Sequence, residues 1–430
     1  MHQVLDGILQ SIGRIISVSW WAFLPIGLFL VWNDLWVSEL NRLWRYTIKW
    51  KMIEIKIPKE ITKTPKAMEN VFAALHAIYH KNFGIEDAYF KGESQYWITF
   101  ELVGYAGGVH YYVRFPEVHR HLIESVIYSE YPDAEISEAS DYTEIMPDVL
   151  PNVMYDMWGN DYILARENPY PIRTYEFFEA NIEEQRLDPV AAITEAMSRL
   201  KDNESMWIQY LIKPVPDKFA NWKAEGEALR DKMMQRKKEE PKGFWFTMFE
   251  GLIHFIRNLS AATLEYPTWQ TTEKKDEKLK FLFLSPGEQN VLKGIENKIS
   301  KVGFEVGLRF LFIGHRDSYA GGANVRAVDG AIRQFNTQDM NGFKTLNDTI
   351  TFITSKKLTS QSWFREKKLH YRKRMIYDAY KLRLYPPKTY VLNSEELATI
   401  FHFPITTVEA PLLRRVHTKK GEPPAGLPLL

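Results

Sequence analysis

The sequence predicts an α+β protein in which one N-terminal transmembrane helix precedes two strand-rich units, the second carrying a helical insertion. Three observations carry that expectation: an uncharged run near the start, and two later stretches in which strand and helix periodicities follow one another in similar order. Length and composition set the frame. A chain of 430 residues exceeds one ordinary domain, and 45% apolar with 25% charged residues are globular proportions. Lysine and arginine total 55 against 54 acidic residues, a formal charge of +1, so any basic surface that grips nucleic acid must be local. The absence of cysteine excludes disulfides, thiol nucleophiles and thiolate metal sites, and fits a reducing compartment.

Ile15 to Asn33 is a run of 19 residues without a charge. As a helix it covers roughly 28 Å, close to the hydrocarbon thickness of a bilayer. Trp20, Trp21, Trp32 and Trp36 are the candidate membrane-interface residues, and Pro25 is tolerable inside a spanning helix. A cleaved signal peptide would need a basic start and a small-residue cleavage site; only Arg14 precedes the run, and bulky residues follow it. Six lysines and arginines lie between Asp34 and Glu60, against Arg14 alone before the run. The positive-inside rule therefore expects a single-pass protein of the inner (cytoplasmic) membrane, with residues 1–37 as anchor and the C-terminal body in the cytoplasm. Val4, Leu5, Ile8, Leu9 and Ile12 share one helical face, which extends the helix or lies along the outer interface.

Residues 52–145 read as strand, helix, strand, strand, helix, strand. MIEIKI alternates with period two; Thr64-Pro65 is a cap followed by the proline favoured at the first helical position. QYWITFELV and VHYYVRF form a hairpin around Gly104, Gly107 and Gly108; a helix with Val118, Leu122, Ile123, Val126 and Ile127 follows, and DAEISEA closes the unit. This order, βαββαβ, is that of the split βαβ or ferredoxin-like fold. A second unit is expected over 170–340: strand 172–180, helix 188–200, strand 205–214, strand 278–285, helix 286–301 and strand 304–314. Its insertion, 215–277, contains the charged tract 236–242 and an amphipathic helix over 243–264, expected to pack on a sheet rather than to cross a second time. A basic helical segment, 341–385, and a proline-containing tail, 386–430, complete the division.

Chemistry-bearing motifs are sparse. No Gly-Lys-Ser/Thr and no GxGxxG after a strand is present, so the phosphate cradle of a nucleotide hydrolase is missing. His76 and His80 have the i, i+4 spacing of a zinc-protease helix, but Ala77 replaces its glutamate and a third ligand is lacking, so no metal or other cofactor is expected. Ser198-x-x-Lys201 has no companion motif. Tyr111, Val113 and Phe115 share a strand face as in RNA-recognition sheets, yet core packing is the better reading. With no nucleophile or acid–base constellation, the chain is not expected to be an enzyme. The strongest charge feature is residues 362–384, where Arg365, Lys367, Lys368, Arg372, Lys373 and Arg374 are candidate contacts to nucleic-acid or lipid phosphate, against the alternative of a solvated or partner-bound helix.

Several stretches resemble the non-catalytic N-terminal region of type IV secretion-like, conjugative coupling ATPases, especially versions in uncultured small-genome bacteria: YWITFELVGYAGGVHYYVRFP, LIESVIYSEYPDAEI, YPIRTYEFFE, MWIQYLIKP, LNSEELATIFHFP and KKGEPPAGLPL. The resemblance covers most of 52–430 and rests on order and wording rather than a catalytic signature. It implies a membrane-proximal accessory module that works with a motor ATPase moving DNA or protein. In those relatives the tail leads into the nucleotide-binding domain; this sequence has no such domain, so no ATP-binding residue carries over. A separate motor, the membrane and further copies of the chain are the partners this reading admits. The alternative is a membrane-tethered protein that binds DNA or another nucleic acid through the basic helix.

Overall fold

A computed structural model describes residues 2–58, 63–79, 84–105, 108–179, 188–216, 222–234, 284–319, 321–352 and 362–404; the side chains of 2–20, 22, 23, 318 and 362–364 are not among those described. One long helix, α1 (His2–Thr47), leads into β1 (Trp50–Lys56), α2 (Pro65–Leu75), β2 (Ile98–Tyr105), β3 (Gly108–Pro116), α3 (Arg120–Glu130) and β4 (Glu135–Glu138). The chain continues through β5 (Tyr155–Leu164), α4 (Tyr175–Glu179), α5 (Ala191–Ser198), β6 (Glu204–Pro214), α6 (Trp222–Met233), α7 (Pro286–Ser300) and β7 (Gly303–His315). It ends with α8 (Gly321–Arg333), β8 (Phe343–Thr345), α9 (Ser362–Lys381), β9 (Tyr390–Asn393) and α10 (Ser394–Ile400).

Local chemistry sets several boundaries. Thr64 caps α2 by accepting from Lys66 N, with Pro65 at the first position. Ser285 and Glu288 form a reciprocal capping box at the start of α7, and Asn393 and Glu396 form another at α10.

All nine strands among the described residues belong to one antiparallel sheet, ordered β4-β1-β3-β2-β6-β7-β5-β8, with β9 paired to β7. The fold is therefore mixed α+β. Both units expected from the sequence contribute to this sheet, which is continuous across β2 and β6, paired from Ile98↔Ile212 to Gly104↔Met206. One face carries the main core, with Ile53, Phe100, Val113, Ile208, Phe310 and Phe72 at 0–1% exposure beneath α2, α3, α5, α8 and α10. Each such side chain contributes about 1.5–3 kcal/mol when fully buried. Tyr111, Val113 and Phe115 lie in this core.

Three expectations need correction. The strand expected at 172–180 is instead a short helix, α4, whose Tyr175 and Phe178, three apart, both turn into the core. The strand that was missed is β5, and β7 takes the third-strand place that was expected for 278–285, most of which lies outside the described residues, as does 235–277 of the insertion. Finally, the tail does not begin as an extended linker. Residues 390–400 build β9 and α10, with every residue of both elements buried, because a capping box starts a helix whose apolar side packs on α2. Residues 405–430 lie outside the described part. Among the described residues no helix is long and apolar enough to cross a membrane. Eight of the 19 positions of the expected spanning run (15–20, 22 and 23) fall on side chains outside them, and the continuous described stretch, 24–33, covers only about 15 Å.

Candidate functional site

The second face of the sheet is polar at its centre. Register places Glu54, Tyr112, Glu101, Gln209, Arg309 and Asp161 side by side across β1, β3, β2, β6, β7 and β5. Glu101, Gln209, Arg309 and Asp161 are 0–1% exposed. Charges so buried stand only when paired. Arg309 Nε donates to Asp161 Oδ1 at 2.7 Å, and Gln209 Nε2 donates to Glu101 Oε1 at 2.9 Å across the β2–β6 seam. On either side of the row, Met52, Val103, Trp207, Leu311 and Ile313 form a smaller apolar cluster with Tyr377 and Tyr380 of α9.

The end of α9 closes over this row. Leu384 N–H donates to Ala379 O and Arg383 N–H to Tyr380 O, the paired bonds of a Schellman turn. Its left-handed position, ordinarily glycine, is Arg383 at φ 51°. The side chain explains the exception. Arg383 Nε donates to Glu101 Oε1 at 3.0 Å, and Nη2 donates to Glu101 Oε2 at 3.2 Å and to Asp141 Oδ1 at 2.9 Å. Tyr142 donates to Glu101 at 2.7 Å, and its hydroxyl meets that of Tyr380. Burial alone would raise the pKa of Asp141; the bonds and charge of Arg383 outweigh it and hold the carboxyl below its ordinary value.

The six candidate cations of α9 divide accordingly. Lys373 pairs with Asp156 at 2.6 Å and Arg372 donates to Ile350 O at 3.2 Å, both part-buried against the body. Arg365, Lys367, Lys368 and Arg374 are exposed. The basic helix therefore has an exposed basic start and, further along, a docked side that leaves Arg374 facing outward. His76, the histidine of the zinc-like spacing, lies with Nε2 3.1 Å from Val215 O, and His80 lies outside the described residues.

The end of α1 docks beside the same face. Trp36 Nε1 donates to Tyr89 O at 3.1 Å, and Trp44 packs on Tyr96 with ring centroids 5.4 Å apart. Gly92, at φ 68°, lies against the Leu40 backbone so closely that a Cβ there would fall 2.4 Å from Leu40 C. Of the other candidate interface residues, Trp21 and Trp32 are exposed and Trp20 lies outside the described side chains. Between α1 and the body is a cavity of about 510 Å³, lined among others by Arg45, Trp97, Lys213, Arg383 and Tyr385.

The profile of a family described as Domain of unknown function (DUF8128) matches residues 38–412. The chain belongs to the DUF8128 family. A comparison with curated proteins finds no match. The DUF8128 match begins at Ser38, inside α1, so it takes in the docked end of that helix, the whole sheet and α9, and leaves out the uncharged run. Most of the junction just described, from Leu40 and Trp44 onward, lies within the DUF8128 unit, and its Trp36 hydrogen bond lies just before it. The buried row had a faint signature in the sequence: Glu101 is the lone charge of β2, and Arg309 stands in the apolar stretch of β7, whose other charged residue is Glu305. The partner of Arg309 is Asp161 on the neighbouring strand β5, whereas that of Glu101 is Arg383, from the turn after α9, which Asp141 meets from the loop after β4.

Gly92→Ala tests the docking of the DUF8128 body on α1. The left-handed backbone costs an L-residue about 1–2 kcal/mol, and forcing a methyl against main chain costs about 1–3 kcal/mol more. We expect the variant to lower the unfolding free energy by about 2–5 kcal/mol and to speed amide exchange over residues 36–47. Unchanged exchange there would show that Gly92 does not hold the helix.

Proposed function

We propose that this chain is a membrane-anchored, non-catalytic accessory module that holds an α+β platform at the cytoplasmic surface for a separate translocation motor. The observation that carries the reading is α1. It is one unbroken helix, and Leu28, Phe29, Leu30 and Val31, successive residues pointing about 100° apart, are all at least 59% exposed. No side of the helix is covered by the body at that level, so an apolar surface there needs another solvent, and lipid supplies one. The cationic flank from Arg42 onward supports the cytoplasmic orientation.

The platform itself fits two ferredoxin-like units. Counted outward from the β2–β6 seam, strands β1–β4 run 2-3-1-4, and β5, β6, β7 and β8, taken as strands 1 to 4 of a second unit, also run 2-3-1-4 on the other side. On this reading the units are joined through their second strands, and the insertion enters between the second and third strands of the second. The motor partnership rests on the resemblance to coupling ATPases, whose quoted phrases fall on β2, β3, α3, β4, α4, β6, β9 and α10, with KKGEPPAGLPL outside the described residues.

Expressed whole, the chain should stay in the membrane pellet after alkaline carbonate extraction, and protease should remove its body from inverted inner-membrane vesicles. Release into the supernatant would overturn the anchor. The body should also co-purify with a phosphate-loop ATPase encoded beside it; no association with such an ATPase removes the motor. The second reading, nucleic-acid binding through α9, is favoured only by its exposed basic start. A salt-sensitive gel shift lost when Arg365, Lys368 and Arg374 become alanine would support it.

A further inference from the structure

We infer that the short helical turn over residues 85–91 is a second membrane contact, lying in the interfacial layer of the bilayer with Ile85, Tyr89 and Phe90 against lipid. The inference rests on the anchored reading and deepens it, since it says which part of the body touches the surface that α1 enters. The turn ends in a π-helical stretch, Asp87–Lys91, closed by Gly92. Ile85 is 77% exposed and Phe90 72%, and Tyr89 is exposed beside them. Where bonds run from i to i+5, residues four and five apart share a side, so these three make one apolar side. Glu86, Asp87 and Lys91 make the next: Lys91 Nζ lies 2.8 Å from Asp87 and 3.7 Å from Glu86. A single exposed apolar residue is ordinary, but three together beside a polar edge are the pattern of an interfacial helix.

The position of the turn decides what covers it. Three contacts in series tie α1 to this part of the body: Trp36 with Tyr89, Leu40 with Gly92, and Trp44 with Tyr96. Residues 89–96 therefore run beside α1 and away from its uncharged run, with the turn at the near end. Trp36 stands three residues past Asn33, about 4.5 Å along the helix axis, whereas Trp44 stands about 16 Å past it. The first distance falls inside the polar layer of one leaflet, roughly 5–7 Å thick, where aromatic side chains gather. An aromatic ladder joins the run to the turn. Trp36 stacks on Trp32 with ring centroids 5.6 Å apart, and Trp32 meets Phe29 at 5.9 Å. Lipid that covers Phe29 and Trp32 thus reaches the level of Trp36 and of the turn beside it. Glu86 and Asp87 outnumber Lys91, so the contact is apolar and owes nothing to anionic head groups.

The chain has no cysteine, so a single introduced thiol carries a nitroxide label without background. Phe29→Cys, Ile85→Cys, Phe90→Cys and Val153→Cys are labelled one at a time in the full chain, inserted into phosphatidylcholine vesicles. Val153 is the aqueous reference. It is 92% exposed and lies two residues before Tyr155, which pairs with His315 at the strand ends opposite to Ile98. Relaxation by oxygen, which concentrates in lipid, is compared with relaxation by a water-soluble nickel chelate. The oxygen-to-nickel ratio at 85 and 90 should stand several-fold above that at 153 and approach that at 29, and added salt should leave it unchanged. Water-like ratios at 85 and 90 with a lipid-like ratio at 29 overturn the contact and leave the anchor standing. Labels at 85 and 90 shielded from both agents, as a second copy of the chain would shield them, overturn it too. A water-like ratio at 29 removes the anchor; lipid-like ratios at 85 and 90 would then keep the turn as a surface contact without a span.

Discussion

Arg383→Ala should lower the unfolding free energy by about 3–5 kcal/mol, because it strands the carboxylate of Glu101, at 0% exposure, without its cation. The loss should exceed that of any surface change on α9. Two features separate this from a generic core defect. Arg383 occupies a left-handed position at φ 51°, so Arg383→Gly loses the same side chain but relieves about 1 kcal/mol of backbone strain. The glycine variant should therefore be the more stable of the two by about that amount. Equal stabilities would mean that the turn geometry is not what Arg383 sustains.

The second feature is pH. Asp141 has its folded pKa held below the unfolded value of about 3.9 by the Arg383 bonds, against the opposing pull of burial. A depressed carboxylate contributes stability above its unfolded pKa and loses that contribution as pH falls through the folded one. Arg383→Ala removes the contribution at neutral pH, where it is fully present. The gap between wild type and variant should narrow as pH drops below about 4, measured by denaturant unfolding of the full chain. A gap that widens in acid would refute the pairing.

These residues also mark where sequence reading succeeds and where it stops. The strands MIEIKI, WITFELV, VHYYVRF, MWIQYLIKP and FEVGLRFLF were legible because one or both of their faces are continuously apolar and the sheet buries them. β5 was not legible, since Gly159-Asn160-Asp161 interrupts its apolar pattern; Gly159 is there because Leu311 lies 2.5 Å from where a Cβ would stand, and Asp161 because Arg309 faces it. In IRTYEFFEA, bulky aromatic and β-branched residues imitate a strand, but Tyr175 and Phe178 are one helical turn apart, and tertiary packing decided. The Asn393-x-x-Glu396 box was readable as a helix start and was overridden by the prolines beyond it. For the candidate site, the charges inside the apolar strands β2 and β7 were visible, whereas nothing local ties Glu101 to a residue 282 positions away. The basic stripe of α9 was read as one surface; only packing shows that Lys373 and Arg372 are already engaged.

Glu396→Leu is the second large effect expected, and its size has a ceiling that can be reasoned out. Glu396 and Lys298 are an ion pair with both side chains at 0% exposure, 3.1 Å apart. Glu396 also accepts from Ile172 N–H and from its own N-cap, Asn393 N–H, each at 2.9 Å, so it fastens α10 to the rest of the body at two points and closes the helix cap. Removing it leaves a buried ammonium. Burial already pulls the Lys298 pKa down against the attraction of Glu396, so without that carboxylate the amine escapes its penalty by losing its proton. From an ordinary lysine value near 10.4 that release costs about 4–5 kcal/mol at pH 7, at 1.36 kcal/mol per unit. This limits the charge penalty, and the two orphaned N–H groups add about 1–3 kcal/mol each. In the variant the folded state binds fewer protons than the unfolded chain, so stability should rise as pH climbs from about 7 towards 10. Lys298→Met combined with Glu396→Leu removes both charges and should recover most of the loss, leaving chiefly the two amide bonds. A double variant as unstable as the single one, or a single variant indifferent to alkaline pH, would show that capping by Glu396, rather than its charge, holds β9 and α10 on the body.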